Sequence, residues 1–261
     1  MCSVKSIVSA SVVLLCVFGF AGMLHADYSH SYGDLSGINV VYQNITESTE
    51  TDDKALFGTP SVSADSLVFS PGSFSASATG AGGIDLTDGQ LGTTIMAVQD
   101  RRIEMIRFAE SGDYSLYGVG TASTAVQVGA ILHVRVEEVE GLAINPVTFS
   151  TEMSFNPSDG TYNLIDDPGL AKGWNGGVEF DVTAALDLMG FGGKATKVYM
   201  TLDNTLAAMS EAGTSAYIKK KDLGGVTLTT VVDNVIPEPS SLLLLVLGAL
   251  SLFVGRGTHR W

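Results

Sequence analysis

Hydrophobic and polar residues alternate through most of the chain, between two uninterrupted apolar runs near its ends. The clearest alternation is Ile131-Leu132-His133-Val134-Arg135-Val136-Glu137. Leu132, Val134 and Val136 fall on one side of an extended strand, and His133, Arg135 and Glu137 on the other. Similar runs lie at 38–45, 66–69, 91–98, 103–108, 114–119, 197–202 and 226–232. Turn-forming clusters separate them: Ser70-Pro71-Gly72, Thr87-Asp88-Gly89, Glu110-Ser111-Gly112-Asp113, Pro157-Ser158-Asp159-Gly160, Asp166-Asp167-Pro168-Gly169 and Asp222-Leu223-Gly224-Gly225. Short strands at this spacing predict an all-β fold, an antiparallel β-sandwich or jelly roll. One helix is predicted over 182–189, capped by Asp181 or Thr183 and stopped by Gly190. The segments 108–114 and 209–217 echo each other faintly, as two halves of a sandwich would.

The apolar runs divide the chain into three parts. Residues 7–20 follow Lys5 and precede Leu24-His25-Ala26. This is the order of a secretion signal over 1–26, with cleavage between Ala26 and Asp27. The alternatives are an uncleaved anchor, for which the run is short, and lipidation at Cys16, which Leu14 and Leu15 disfavour. Residues 27–236 form the exported domain, and 237–261 the tail. In the tail, Pro237-Glu238-Pro239 precedes the Leu-rich run 242–254 and a basic end with Arg256 and Arg260. Prolines keep the chain extended, the apolar run satisfies its own backbone as a helix in lipid, and the arginines hold the end on the cytoplasmic side. The expectation is a signal helix before the sandwich and a transmembrane helix after it.

The tail V-I-P-E-P-S-S-L-L-L-L-V-L-G-A-L-S-L-F-V-G-R resembles the PEP-CTERM sorting signal of Gram-negative bacteria, in which a Pro-Glu-Pro motif, an apolar helix and an arginine cluster follow in the same order. The basic end departs from the pattern, since Gly257, Thr258 and His259 separate the two arginines. The resemblance implies processing by an exosortase, a membrane cysteine transpeptidase, with Pro237, Glu238 and Pro239 as its recognition residues. It also implies secretion machinery as a partner, tethering at the inner membrane until processing, and then a place at the cell surface or outside it. Proteins with this tail are linked to extracellular polysaccharide and biofilm matrix. The opening Ser31-Tyr32-Gly33-Asp34-Leu35-Ser36-Gly37 is similar to that of other exported proteins bearing it.

Charge narrows the partners further. Residues 27–236 hold 11 Lys and Arg against 27 Asp and Glu, a net charge of −16. Such a domain repels phosphate backbones, so no nucleic acid is expected. Both cysteines, Cys2 and Cys16, lie in the leader, so the exported domain has no disulfide, thiolate ligand or cysteine nucleophile.

No catalytic pattern stands out, and the expectation is a structural, non-enzymatic protein. His30 lies near the new N-terminus and is expected to be mobile; His133 has Glu137 two strand positions away but reads as a surface histidine. Glu104, Glu110, Glu137, Glu152 and Glu179 are available for a glycosidase pair, yet nothing brings two together. No cofactor is expected. Calcium is the one metal that fits, through Asp85, Asp88, Asp159, Asp166 and Asp167 in predicted turns, where aspartate is also favoured for turn chemistry alone. Trp174, followed by Asn175-Gly176-Gly177, is a candidate for stacking on a sugar ring, against the plainer reading of a core-edge residue. Lys219-Lys220-Lys221 reads as edge-strand lysines that deter sheet-to-sheet pairing, or as a contact with anionic polysaccharide. A carbohydrate-binding module of the exopolysaccharide matrix is therefore the alternative function.

Overall fold

The computed structural model describes residues 28–234. Within them the fold is almost wholly antiparallel strand with one short helix. The expected signal helix and transmembrane helix lie outside the described residues, as do Ala26, Asp27, Pro237, Glu238, Pro239, Arg256 and Arg260. No described helix is long and apolar enough to cross a membrane.

The strands are β1 (Tyr28–Ser36), β2 (Val40–Thr49), β3 (Ser61–Ser63), β4 (Ser66–Phe69), β5 (Ser75–Thr79), β6 (Gly83–Ala97), β7 (Arg101–Gly118), β8 (Ala125–Val139), β9 (Leu142–Glu152), β10 (Ser154–Asn156), β11 (Thr161–Asn163), β12 (Gly169–Asp181), β13 (Ala195–Ser210), β14 (Thr214–Lys220) and β15 (Val226–Asn234). They form one pairing network folded into two facing layers. The first layer runs β1-β2-β6-β13-β8-β9. The second is centred on β7, which pairs with β12 on one side and with β15 and then β14 on the other. A single pair, Ala195 with Ile103, joins the layers directly.

Alternation decides which side of each strand is buried. On β8, Val126, Val128, Ala130, Leu132, Val134 and Val136 are inside, as the pattern predicts. They meet Val198, Met200, Leu202 and Leu206 of β13 and the aromatic residues of the second layer in one contiguous core. The helix α1 spans Val182–Leu188, one residue short of the expected end. Asp181 caps it by accepting from the Ala184 N–H at 2.8 Å.

Several expectations change. Thr87-Asp88-Gly89 is not a turn but the middle of β6, and Glu110-Ser111-Gly112-Asp113 is the middle of β7. In both, glycine makes space rather than a bend. A Cβ on Gly89 would stand 3.0–3.2 Å from Leu56, Phe74 and Phe57. A Cβ on Gly112 would stand 2.1 Å from the Lys219 carbonyl oxygen and 2.3 Å from the Trp174 ring. The echo between 108–114 and 209–217 is therefore not structural: the first lies within β7, while 211–213 turns from β13 into β14. His30 is not in a mobile end. It lies in β1, opposite Glu47 of β2, with Tyr28 and Tyr32 rings at 6.2 and 4.6 Å. The Lys219–Lys221 cluster does not guard an edge, since β14 is paired on both sides, with β5 and β7.

Glu47, which the pattern did not single out, is buried and anchors the loop that follows β2. Its buried carboxylate accepts from the Leu56 N–H at 2.7 Å, the Gly58 N–H at 3.1 Å and the Tyr32 hydroxyl at 2.6 Å. These bonds hold the loop after β2 so that Leu56 and Phe57 enter the core.

The slot at Gly112 makes a measurable difference. Gly112→Ala is expected to destabilise the protein by about 1–3 kcal/mol or more through overpacking. Gly177→Ala, whose Cβ would come no closer than 3.7 Å to Phe108, should cost no more than about 1 kcal/mol. Urea unfolding of the two variants beside the parent checks both.

Candidate functional site

Two groups of polar side chains stand out, one on the outer face of the first layer and one sealed between the layers.

The outer group is a row across four neighbouring strands. His133 on β8 shares a hydrogen bond of 2.7 Å with Ser150 of β9 through Nδ1, and one of 3.1 Å with Asp203 of β13 through Nε2. Asp203 also accepts from Gln90 of β6 at 2.6 Å. Beside the row, Tyr199 lies along the sheet with its hydroxyl over Gly92, where a Cβ would stand 3.4 Å from it. The Arg135 guanidinium sits 4.9 Å from its ring centre. His133 thus meets Asp203, not Glu137. Glu137 instead pairs with Arg135 at 2.5 Å and Lys197 at 3.3 Å. Burial alone would raise its carboxyl, but these two charges hold it below the usual carboxylate range. Ser150, His133 and Asp203 are the residue types of a nucleophilic triad, yet the His133 and Asp203 side chains are 37% and 41% exposed on an open sheet face. Triad chemistry works in a site that excludes water and supplies oxyanion donors. This row is suited to binding a polar surface through many hydrogen bonds.

The inner group is Lys220 of β14, Glu110 of β7 and Asn204 of β13, all buried. Lys220 Nζ donates to Glu110 Oε2 at 2.5 Å and to Asn204 Oδ1 at 2.7 Å. Asn204 Nδ2 donates to Glu110 Oε1. The Phe74 ring centre is 4.8 Å from Nζ and that of Phe57 is 5.9 Å away. Burial pushes the Lys220 ammonium below the usual lysine range, and the Glu110 carboxylate opposes that shift. Removing one partner of such a pair leaves a charge in an apolar interior, at a cost of about 3–5 kcal/mol. The sequence shows a Lys-Lys-Lys run and a Glu in a turn-like phrase, and nothing in that pattern marks either as internal. The one available signal is alternation: Tyr114 and Glu110, and Ile218 and Lys220, share the inward side of their strands.

The other predicted residues are dispersed. Trp174 is 2% exposed and packs on Gly112 and against Phe155, with ring centres 6.0 Å apart. It has no free face for a sugar, so the plainer reading of a residue packed against the core holds and the candidate stacking role does not. Glu104 pairs with Lys194 and Glu179 with Arg107, and Glu152 is on the edge strand β9. The carboxylates considered for a glycosidase pair are thus on separate partners. Among the candidate calcium ligands, Asp85 accepts from the Ser77 N–H, Asp88 from Thr205, Asp159 from Ser158 and Asp166 from Asn163. No group of three or more His, Cys, Asp or Glu side chains among the described residues is placed to hold a metal ion.

No family model and no curated protein matches the chain. Among solved structures it is similar to TmCBM61 in complex with β-1,4-galactotriose, at 10% identity, covering 57% of this chain and 70% of that one with a TM-score of 0.18. It is similar to endoglucanase 3 of Trichoderma harzianum, from family GH12, at 10% identity, covering 82% of this chain and all of that one with a TM-score of 0.25. It is also similar to the family 11 xylanase of Neocallimastix patriciarum, at 10% identity, with 78% and 100% coverage and a TM-score of 0.21. At these values the likeness carries no argument about activity, and the reading of function rests on the chain's own residues.

Proposed function

We propose that this is an exported envelope or matrix protein with a structural, non-enzymatic β domain, tethered by its tail at the inner membrane until an exosortase acts near Pro237-Glu238-Pro239. The observation that carries the reading is the order of that motif, the apolar run 242–254 and the arginines of the basic end. The placement of the motif supports it. β15 ends at Asn234 and pairs with both β7 and β4. Cleavage at the motif would therefore release every described strand intact. The acidic surface keeps the released domain soluble.

A second reading is that the domain binds polysaccharide in the matrix. The outer row favours it: hydrogen-bonding side chains on a broad sheet face, with Tyr199 beside them, suit the hydroxyl groups and apolar faces of a glycan chain.

Two measurements test these readings. Mass spectrometry of the protein from membranes and culture supernatant should find an N-terminus near Asp27 and a C-terminus near the Pro-Glu-Pro motif. Without the host's exosortase, the tail should stay on and the protein stay with the membrane. An intact, untrimmed chain in the soluble cytosol would overturn the first reading. For the second, Tyr199→Ala and His133→Ala should each weaken retention on the host exopolysaccharide roughly tenfold, about 1.4 kcal/mol, with the circular dichroism spectrum unchanged. No retention of the parent protein sinks it.

A further inference from the structure

We propose that Lys220 and Asn204 react with one another inside the folded protein, forming an amide bond between Lys220 Nζ and Asn204 Cγ and releasing ammonia, with Glu110 carrying the protons. The inference is independent of how the protein is exported and of what its outer face binds.

The inner group has the three parts such a reaction needs: a nucleophile, an acyl donor and a proton carrier. Lys220 Nζ is 2.7 Å from Asn204 Oδ1. The Cγ carbon is one carbonyl bond beyond, about 1.2 Å, which brings the nitrogen near the roughly 3–3.5 Å of a near-attack pair. Glu110 touches the two atoms whose proton count must change. Its Oε2 is 2.5 Å from Nζ, which must lose protons, and its Oε1 accepts from Nδ2, which must gain protons to leave.

In water a lysine does not attack a carboxamide, for three reasons: the amine is protonated, the amide is a poor electrophile and the encounter is bimolecular. The sandwich acts on each. Burial favours the neutral amine, as it does for activated lysines generally. The carboxyl group sits where it can protonate the leaving nitrogen as the carbon–nitrogen bond breaks. The packing of the two layers face to face holds the reactants together at 2.7 Å, and in such held pairs effective molarities reach about 10⁵–10⁸ M. Phe57 and Phe74 wall the site, and both are fully buried, which keeps water from competing for the carbon.

The balance closes without an oxidant, metal or co-reactant. Lys220 ammonium passes one proton to Glu110. The freed lone pair adds to Asn204 Cγ, and the carbonyl becomes a tetrahedral oxyanion. Glu110 moves protons from Nζ to Nδ2, the Cγ–Nδ2 bond breaks, and the carbonyl reforms. One ammonium and one carboxamide become one secondary amide and one ammonium ion.

The bond would join β13 in the first layer to β14 in the second, between residues 16 apart in sequence. It would give a covalent tie across the sandwich to a domain whose only cysteines, at 2 and 16, precede it.

Intact-mass measurement of the mature protein, denatured after purification, tests this directly. The mass should lie below that of the sequence by one ammonia, about 17 Da. A tryptic digest should contain a branched peptide joining residues 198–219 to Lys220-Lys221. That peptide separates the proposed bond from a succinimide, which loses the same mass without a branch. Asn204→Ala should show its full sequence mass and no branch. Glu110→Gln, with its fold checked by circular dichroism, should lose the branch while keeping Lys220 and Asn204. A folded parent protein with its full mass, and with Lys220 and Asn204 recovered in separate peptides, overturns the proposal. That result would leave the group as an ordinary buried ion pair. A branch that persists in folded Glu110→Gln overturns the role of Glu110.

Discussion

An ammonium group sealed between two β-sheets constrains everything around it. Lys220 can sit there only with Glu110 and Asn204 in reach, because an unpaired charge in that interior would cost more than a typical core contact returns. The three residues come from β14, β7 and β13, so they tie the registers of strands in both layers. A one-residue slip of any of these strands would turn its member of the group to the opposite face. Apolar packing alone is more forgiving, since a core of Val, Leu and Ile tolerates rearrangement that keeps volume and pattern. The polar triad therefore specifies the alignment that the apolar residues then fill.

The rest of the core follows from that alignment. With Glu110 inward on β7, Gly112 and Tyr114 are inward too, and β12 pairs so that Trp174 stands opposite Gly112. The ring occupies the space a side chain would have taken. Tyr114 in turn stacks on Tyr162, with ring centres 4.3 Å apart. At the same end of the group, Phe57 and Phe74 stand over Nζ, and Glu47 holds the loop that delivers Phe57. Two buried carboxylates thus do different things. Glu110 neutralises a charge inside the core, and Glu47 satisfies backbone N–H groups that would otherwise be stranded where a loop passes over it.

One surface open to a large partner is the outer face of the first layer. There the alternation that buries Leu132 and Val134 exposes His133 and Arg135, and the neighbouring strands add Ser150, Tyr199, Asp203 and Gln90. None of these side chains is near another in sequence except within its own strand. The row exists only because β9, β8, β13 and β6 lie side by side.

Period-2 alternation and turn chemistry were enough to predict an antiparallel β fold, the places of most long strands and a helix capped by Asp181, because those features are set by residues close together in the chain. Turn chemistry misled at 87–89 and 110–113, where glycine and acidic residues have partners far away that reward an extended backbone. Pattern alone places Lys220 on the surface for a related reason, while the structure buries it. Polarity predicts exposure only when a group has no internal partner, and Lys220 has two, on strands that start 25 and 119 residues before it. The sequence by itself determined which residues alternate and which charges are present. Only the tertiary structure decided which of those charges meet, since strand pairing brings together side chains whose separation along the chain carries no trace of their contact.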